Sequence, residues 1–138
     1  MAIKKQHFWI DREHERITTE TPCQVGPVGG SRQRAMIINL SAGGVKFSCN
    51  QDVFSLLLPE DQRIPGQVTD VDIEIHFQLQ AAGRRKPLSI RTRARLIHTE
   101  RLAQDSYTLG AKFLDMRDVE SRGIENYMQQ VNARSQPL

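Results

Sequence analysis

The stretch from Val71 to Leu79 constrains the fold most, because Val71, Ile73, Ile75, Phe77 and Leu79 alternate without a break with Asp72, Glu74, His76 and Gln78. Successive side chains of an extended chain leave on opposite faces, so this segment is a strand with one dry and one wet face. The same alternation predicts a strand from about Leu88 to His98, where Leu88, Ile90, Ala94 and Leu96 oppose Arg91, Arg93 and Arg95. A third runs from about Tyr107 to Leu114, with Tyr107, Leu109, Ala111 and Phe113 set against Thr108, Gly110 and Lys112. The segment AAGRRK between the first two reads as a hairpin turn, and shorter apolar runs at about 22–28, 33–40 and 44–48 bring the set to six. Strands with one apolar face each need closure or a covering layer. The expected fold is all-β: a six-stranded antiparallel barrel.

Beyond Asp115 the period changes to that of a helix, through Val119, Ile124, Tyr127, Met128 and Val131, with Asp115 or Asp118 as N-cap. Gly123 inside it costs about 1 kcal/mol relative to Ala. Residues 1–20 lack an apolar face and carry the charge cluster Asp11-Arg12-Glu13-His14-Glu15-Arg16, which predicts a flexible N-terminal arm. The barrel and its C-terminal helix are expected over 21–132, and 133–138 as a frayed tail. Residues 51–66, with the apolar patch VFSLLLP, are too long for a simple turn and hold either a short helical turn or a surface for another protein.

The 138 residues suit one domain, and the sequence shows neither a signal-peptide pattern nor a run of membrane-spanning length, so the expected location is the cytoplasm. There Cys23 and Cys49 stay thiols. The net charge of +3 tilts the partners toward anions, and fourteen of the nineteen basic residues are Arg, whose planar fork suits phosphates and guanine edges. His7 and His14 with Glu13 or Glu15 find no third ligand at metal-binding spacing, so no metal is expected. Ser41 has neither a nucleophile elbow nor an assigned base, and no catalysis is expected.

Two motifs carry the function. Arg12 and Arg16 form RxxxR, and further on comes Asn39-Leu40-Ser41-Ala42-Gly43-Gly44. In order and spacing the pair resembles the RxxxR and (D/N)xSxxG signatures of the PilZ family. NLSAGGVKF is similar to that family's second and third strands, and LGAKFLD to its late Gly-x-x-Phe strand, so the resemblance runs from Arg12 to about Val131. It implies a PilZ-like barrel that receives the bacterial second messenger cyclic di-GMP as its ligand, without a cofactor. Arg12 and Arg16 would fork onto phosphates or guanine edges. Asn39 would accept from guanine, Ser41 would bond base or phosphate, and Gly43 and Gly44 would allow close approach and a positive φ. His98 stands near a position where some relatives carry an aromatic, and would stack on guanine. Asp11, where relatives holding a stacked ligand pair often carry Arg, implies one ligand molecule per site.

A lone domain implies an adaptor that changes conformation on binding and signals through a partner protein, of a kinase, chemotaxis, motility or polysaccharide class. Trp9, the VFSLLLP segment and the final helix are its candidate contact surfaces. For Arg12 and Arg16 the plain alternative is a solvated charge cluster with Glu13 and Glu15. For Asn39 to Gly44 it is a β-turn, which is compatible with ligand binding. A second RxxxR at Arg91 and Arg95 lies after the Asn-x-Ser motif and serves as a decoy. The basic stripe from Arg84 to Arg95 supports a competing reading, a small barrel binding nucleic acid, although no aromatic falls between residues 78 and 106 to stack on bases. A PilZ-like protein that has lost its ligand and serves as a structural partner is the other alternative.

Overall fold

The computed structural model describes residues 16–60, 71–80, 83 and 85–135. The elements are β1 (Arg16–Pro27), β2 (Gln33–Ser41), β3 (Gly44–Cys49), α1 (Gln51–Leu57), β4 (Val71–Leu79), β5 (Leu88–Ala103), β6 (Ser106–Phe113) and α2 (Asp118–Ser135). The strands close into an antiparallel barrel in the order β1-β2-β3-β6-β5-β4. Closure removes the open edges that single-faced strands would otherwise expose. Val25, Ile37, Val45, Phe47, Ile75, Ile90 and Leu109 are fully buried inside it, and Phe77 stacks near Phe113 at 6.3 Å between centroids.

Two strands are longer than their alternation suggested. β1 starts at Arg16, so the boundary drawn at residue 20 falls inside a strand; the register shift between Thr18 and Thr21 breaks the period there. β5 continues to Ala103 through shifts after Leu96 and after Arg101, which scramble the pattern beyond His98. The arm residues before Arg16, including Arg12, Trp9, His7 and His14, lie outside the described residues, as do 61–66 of the long loop and the last three of the tail. Residues 133–135 belong to α2 rather than to a frayed end.

The VFSLLLP segment begins within α1. Asn50 caps the helix by accepting from the Val53 N–H at 2.9 Å, and Asp105 accepts from the Gln51 N–H at 2.8 Å. Val53, Phe54, Leu57 and Leu58 are buried, with the Phe54 ring flat on Tyr107 at 4.1 Å. The patch therefore packs on the barrel, and only Leu56 of its large apolar side chains is exposed.

Helix α2 is fixed differently from the sequence expectation. Its N-cap position is Arg117, whose carbonyl accepts from Ser121 N–H, while Asp118 is the first helical residue and Asp115 pairs with Arg93. Glu120 supplies the cap by reaching back to the Arg117 N–H at 3.0 Å, the reciprocal half of a capping box. Ile124 and Met128 are buried, but Val119 is exposed: five residues before Ile124 puts it about 140° around the helix. Gly123 has a packing reason, because a Cβ there would strike the Leu88 side chain. Among the described residues no helix is long and apolar enough to cross a membrane.

Candidate functional site

The outward position of Asn39 depends on an irregularity in β2. Strict alternation from buried Ile37 would point Asn39 inward and Leu40 outward. Instead Ile37 pairs with Phe47 and Asn39 with Lys46, leaving Ile38 as an extra residue against β3. Opposite β1 the same place matches Thr18 to Asn39 and Thr21 to Ile37. The bulge resets the phase, so Ile37 and Leu40 are both fully buried while Asn39 faces out.

From there one row crosses the outer surface: Thr18 on β1, Asn39 on β2, Lys46 on β3, Gly110 on β6 and His98 on β5, each paired in register with the next. With strands about 4.8 Å apart, Asn39 and His98 are separated by about 14 Å across Lys46 and the buried backbone of Gly110. Arg16 stands beside this row, opposite Ser41 on the β1–β2 pair. The structure thus gathers Arg16, Asn39, Ser41, Gly43, Gly44 and His98 at one side of the barrel. Lys46 was missed by motif reasoning, although its position between inward Val45 and Phe47 signals it. Among the described residues its ammonium has no ion-pair partner.

The side chains differ in what they leave available. Oδ1 of Asn39 and Oγ1 of Thr108 are, among the described residues, the buried side-chain oxygens and nitrogens without a hydrogen-bond partner. An acceptor shielded from water with nothing donating to it carries a desolvation cost, and such groups mark places where a partner belongs. Ser41 is the reverse case. Its Oγ accepts from Gly43 and Gly44 N–H groups at 3.2 and 3.1 Å and donates to the Gly44 carbonyl at 3.3 Å, which uses both lone pairs and the proton. Ser41 builds the turn. Gly43 and Gly44 do not adopt the positive φ expected of them, which among the described residues occurs only at Gly29 and Gly83. Gly44 is required instead by close approach, since a Cβ would collide with the Ala111 carbonyl of β6. His98 is about half exposed, with Nε2 4.0 Å from Glu100 Oε1.

The second RxxxR behaves otherwise. Arg95 makes a two-pronged contact with Asp72, Nε to Oδ1 at 2.9 Å and Nη2 to Oδ2 at 3.5 Å, and Arg93 bonds Asp115. The Arg95 hydrogen bond holds the Asp72 carboxyl below its ordinary range, and Arg93 does the same for Asp115. Register places Asp72, Glu74 and His76 of β4 opposite Arg95, Arg93 and Arg91. Much of the stripe is therefore a cross-strand ladder of opposite charges rather than an open basic groove. Burial pushes the Cys23 thiol up to about 12 and Cys49 to about 11, so both stay protonated. Among the described residues no cluster of His, Cys, Asp and Glu is placed to hold a metal ion.

Among curated proteins no sequence matches the chain. The fold has clear counterparts. The Bacillus subtilis inhibitor of motility MotI/DgrA superposes with a TM-score of 0.67 at 12% identity, over 92% of this chain and 54% of its own. The K. pneumonia MrkH–c-di-GMP complex follows with 0.64 at 12% identity, over 91% and 54%. The PilZ domain of YcgR from Escherichia coli, with c-di-GMP, gives 0.56 at 16% identity over 89% and 93%. The chain thus spans about half the length of MotI and MrkH and nearly all of the single YcgR domain. The sequence profile of the PilZ domain matches residues 10–130, which takes in both arginines, the Asn39 turn, all six strands and most of α2; the chain belongs to the PilZ domain family.

Proposed function

We propose that this protein is a non-enzymatic receptor for cyclic di-GMP, held against the outer row from Asn39 to His98 and clasped by Arg12 and Arg16. The observation that carries the reading is the orphaned Asn39 Oδ1, shielded from water on a residue that the Ile38 bulge sets in the outer row beside Arg16. Guanine presents N1–H and N2–H donors that match such an acceptor. Arg16 at the start of β1, with Arg12 four residues earlier, brings forked donors to phosphate oxygens or to guanine O6 and N7. Ser41 acts through the turn it closes rather than by direct contact, and His98 supplies a face for stacking at the far end of the row. MrkH and the YcgR domain, similar in fold, are complexes with the same ligand. The ligand-bound form then signals to a partner protein within the cytoplasm. The ion pairing of Arg93 and Arg95 disfavours the nucleic-acid reading.

Isothermal titration of cyclic di-GMP into wild type, Arg12→Ala, Arg16→Ala and an Arg91→Ala control tests this. Saturable binding, lost in the first two variants and kept in the control, is expected. A folded, nucleotide-free wild type that gives no heat of binding would overturn the receptor reading and leave the nucleic-acid and structural-partner readings.

A further inference from the structure

Beside the motif face the barrel carries an open groove of about 870 Å³ on the outer surfaces of β4, β1, β2 and β3. Its register is simple. Arg34, Gln24, His76 and Arg91 follow one another across β2, β1, β4 and β5, and Met36 pairs with Pro22 in the next outward row. Gln24 and Gln78 offer amide donors and acceptors, and Met36 and Pro22 give an apolar floor.

The charge here is uncompensated. Within one strand, Arg93 and Arg95 are paired with carboxylates, whereas the side chains of Arg91, Arg34 and nearby Arg32 have no ion pair among the described residues. Burial, then the charges of Arg91 and Arg32, pull the His76 imidazole below its usual range. The ring is neutral near pH 7 and bonds Ser89 Oγ at 3.1 Å, so the positive potential comes from the guanidinium groups. Of the carboxylates on β4, Glu74 lies opposite Arg93 and Asp72 opposite Arg95, one and two outward positions beyond the groove.

We propose that this groove docks an acidic, extended peptide segment of a partner protein. From Arg34 to Arg91 is three strand spacings, about 14 Å, which an extended peptide spans in about four residues. Two carboxylates that far apart meet both arginines, while an apolar side chain between them lies on Met36 and Pro22. A peptide fits better than a nucleic acid because Phe77 is buried on the barrel side, which leaves only the His76 ring, tied to Ser89, for stacking bases. The motif residues take no part, so the site is independent of the cyclic di-GMP reading.

The test is fluorescence anisotropy at low salt with a fluorescein-labelled peptide of about eight residues repeating Glu-Ser-Leu-Ser, which puts glutamates four residues apart and the leucine between them on one face and is long enough to cross the groove twice over. The double variant Arg34→Glu/Arg91→Glu should bind about tenfold or more weakly, and Arg122→Glu on α2 should match wild type. If charge reversal lowers the melting temperature, Arg34→Gln/Arg91→Gln takes its place. No binding to wild type, equal binding of the glutamine-for-glutamate peptide, or an unchanged double variant overturns the proposal. A single-stranded oligothymidine that binds the same arginines more tightly would make the occupant a nucleic acid. A dimer seen in light scattering and lost in the double variant would make it a second copy.

Discussion

At Asn39 the proposed ligand contact and the stability of the fold can be measured apart. Its Oδ1 is shielded and accepts no hydrogen bond among the described residues, so the folded protein carries the cost of desolvating it. Replacing Asn39 with Ala should weaken cyclic di-GMP binding by about tenfold or more, the value of one good hydrogen bond to a base edge. The same change should leave the melting temperature equal or higher, because no donor loses its partner. Titration and thermal unfolding of one sample give both numbers, and a clear drop in melting temperature would mean that the amide already serves the fold. The motif stood out in the sequence because few residue types offer the chemistry proposed for it. What the sequence hid was the division of labour inside it: Ser41 looks like a ligand contact but spends its hydroxyl on Gly43 and Gly44, while Lys46 belongs to no motif and stands in the row.

At the scale of elements, α2 is attached through a buried carboxylate. Glu120 is 2% exposed, accepts from the Arg117 backbone and guanidinium at 3.0 and 3.2 Å, and receives the Arg91 N–H from β5. Burial pushes its carboxyl up, but the hydrogen bonds from Arg117 and Arg91 together outweigh that and hold it below the ordinary value. A depressed pKa in the folded state stabilises above the unfolded value of about 4.5 and is lost as pH falls through the folded value. Stability should therefore be flat from neutral to about pH 5 and decline below it. Glu120→Gln should cost about 1–3 kcal/mol at neutral pH and flatten the acid decline, as read from denaturant midpoints; an acid slope identical to wild type would exclude Glu120 as its source. The helix itself was readable from its period, but its cap was not. Asp118 offered the usual residue, and the choice fell on Arg117 because Glu120 is also needed at β5, a tertiary contact no local pattern contains.

For the whole molecule, the outer surface divides into regions of different charge character. The ladder of Asp72 and Asp115 against Arg95 and Arg93 keeps the long basic strand β5 from presenting a continuous cationic stripe. Asp72→Asn with Asp115→Asn should unmask that stripe, so that the variant elutes from heparin at higher salt than wild type. Identical elution would show that the ladder does not neutralise it. The barrel was legible because β4 and β6 alternate cleanly; the true lengths of β1 and β5 were not, because register shifts scramble period-two patterns without changing composition. The extra residue at Ile38 has a broader consequence. It lies on β2 between Arg34 and Met36, which line the groove, and Asn39 and Ser41, which form the motif turn. Because the odd count is absorbed there, the two halves of one strand keep separate inside–outside reading frames. Flattening the bulge with that residue still in place would turn one half inside out relative to the other, so a strand carrying an odd residue at this point is bound to keep the kink that absorbs it.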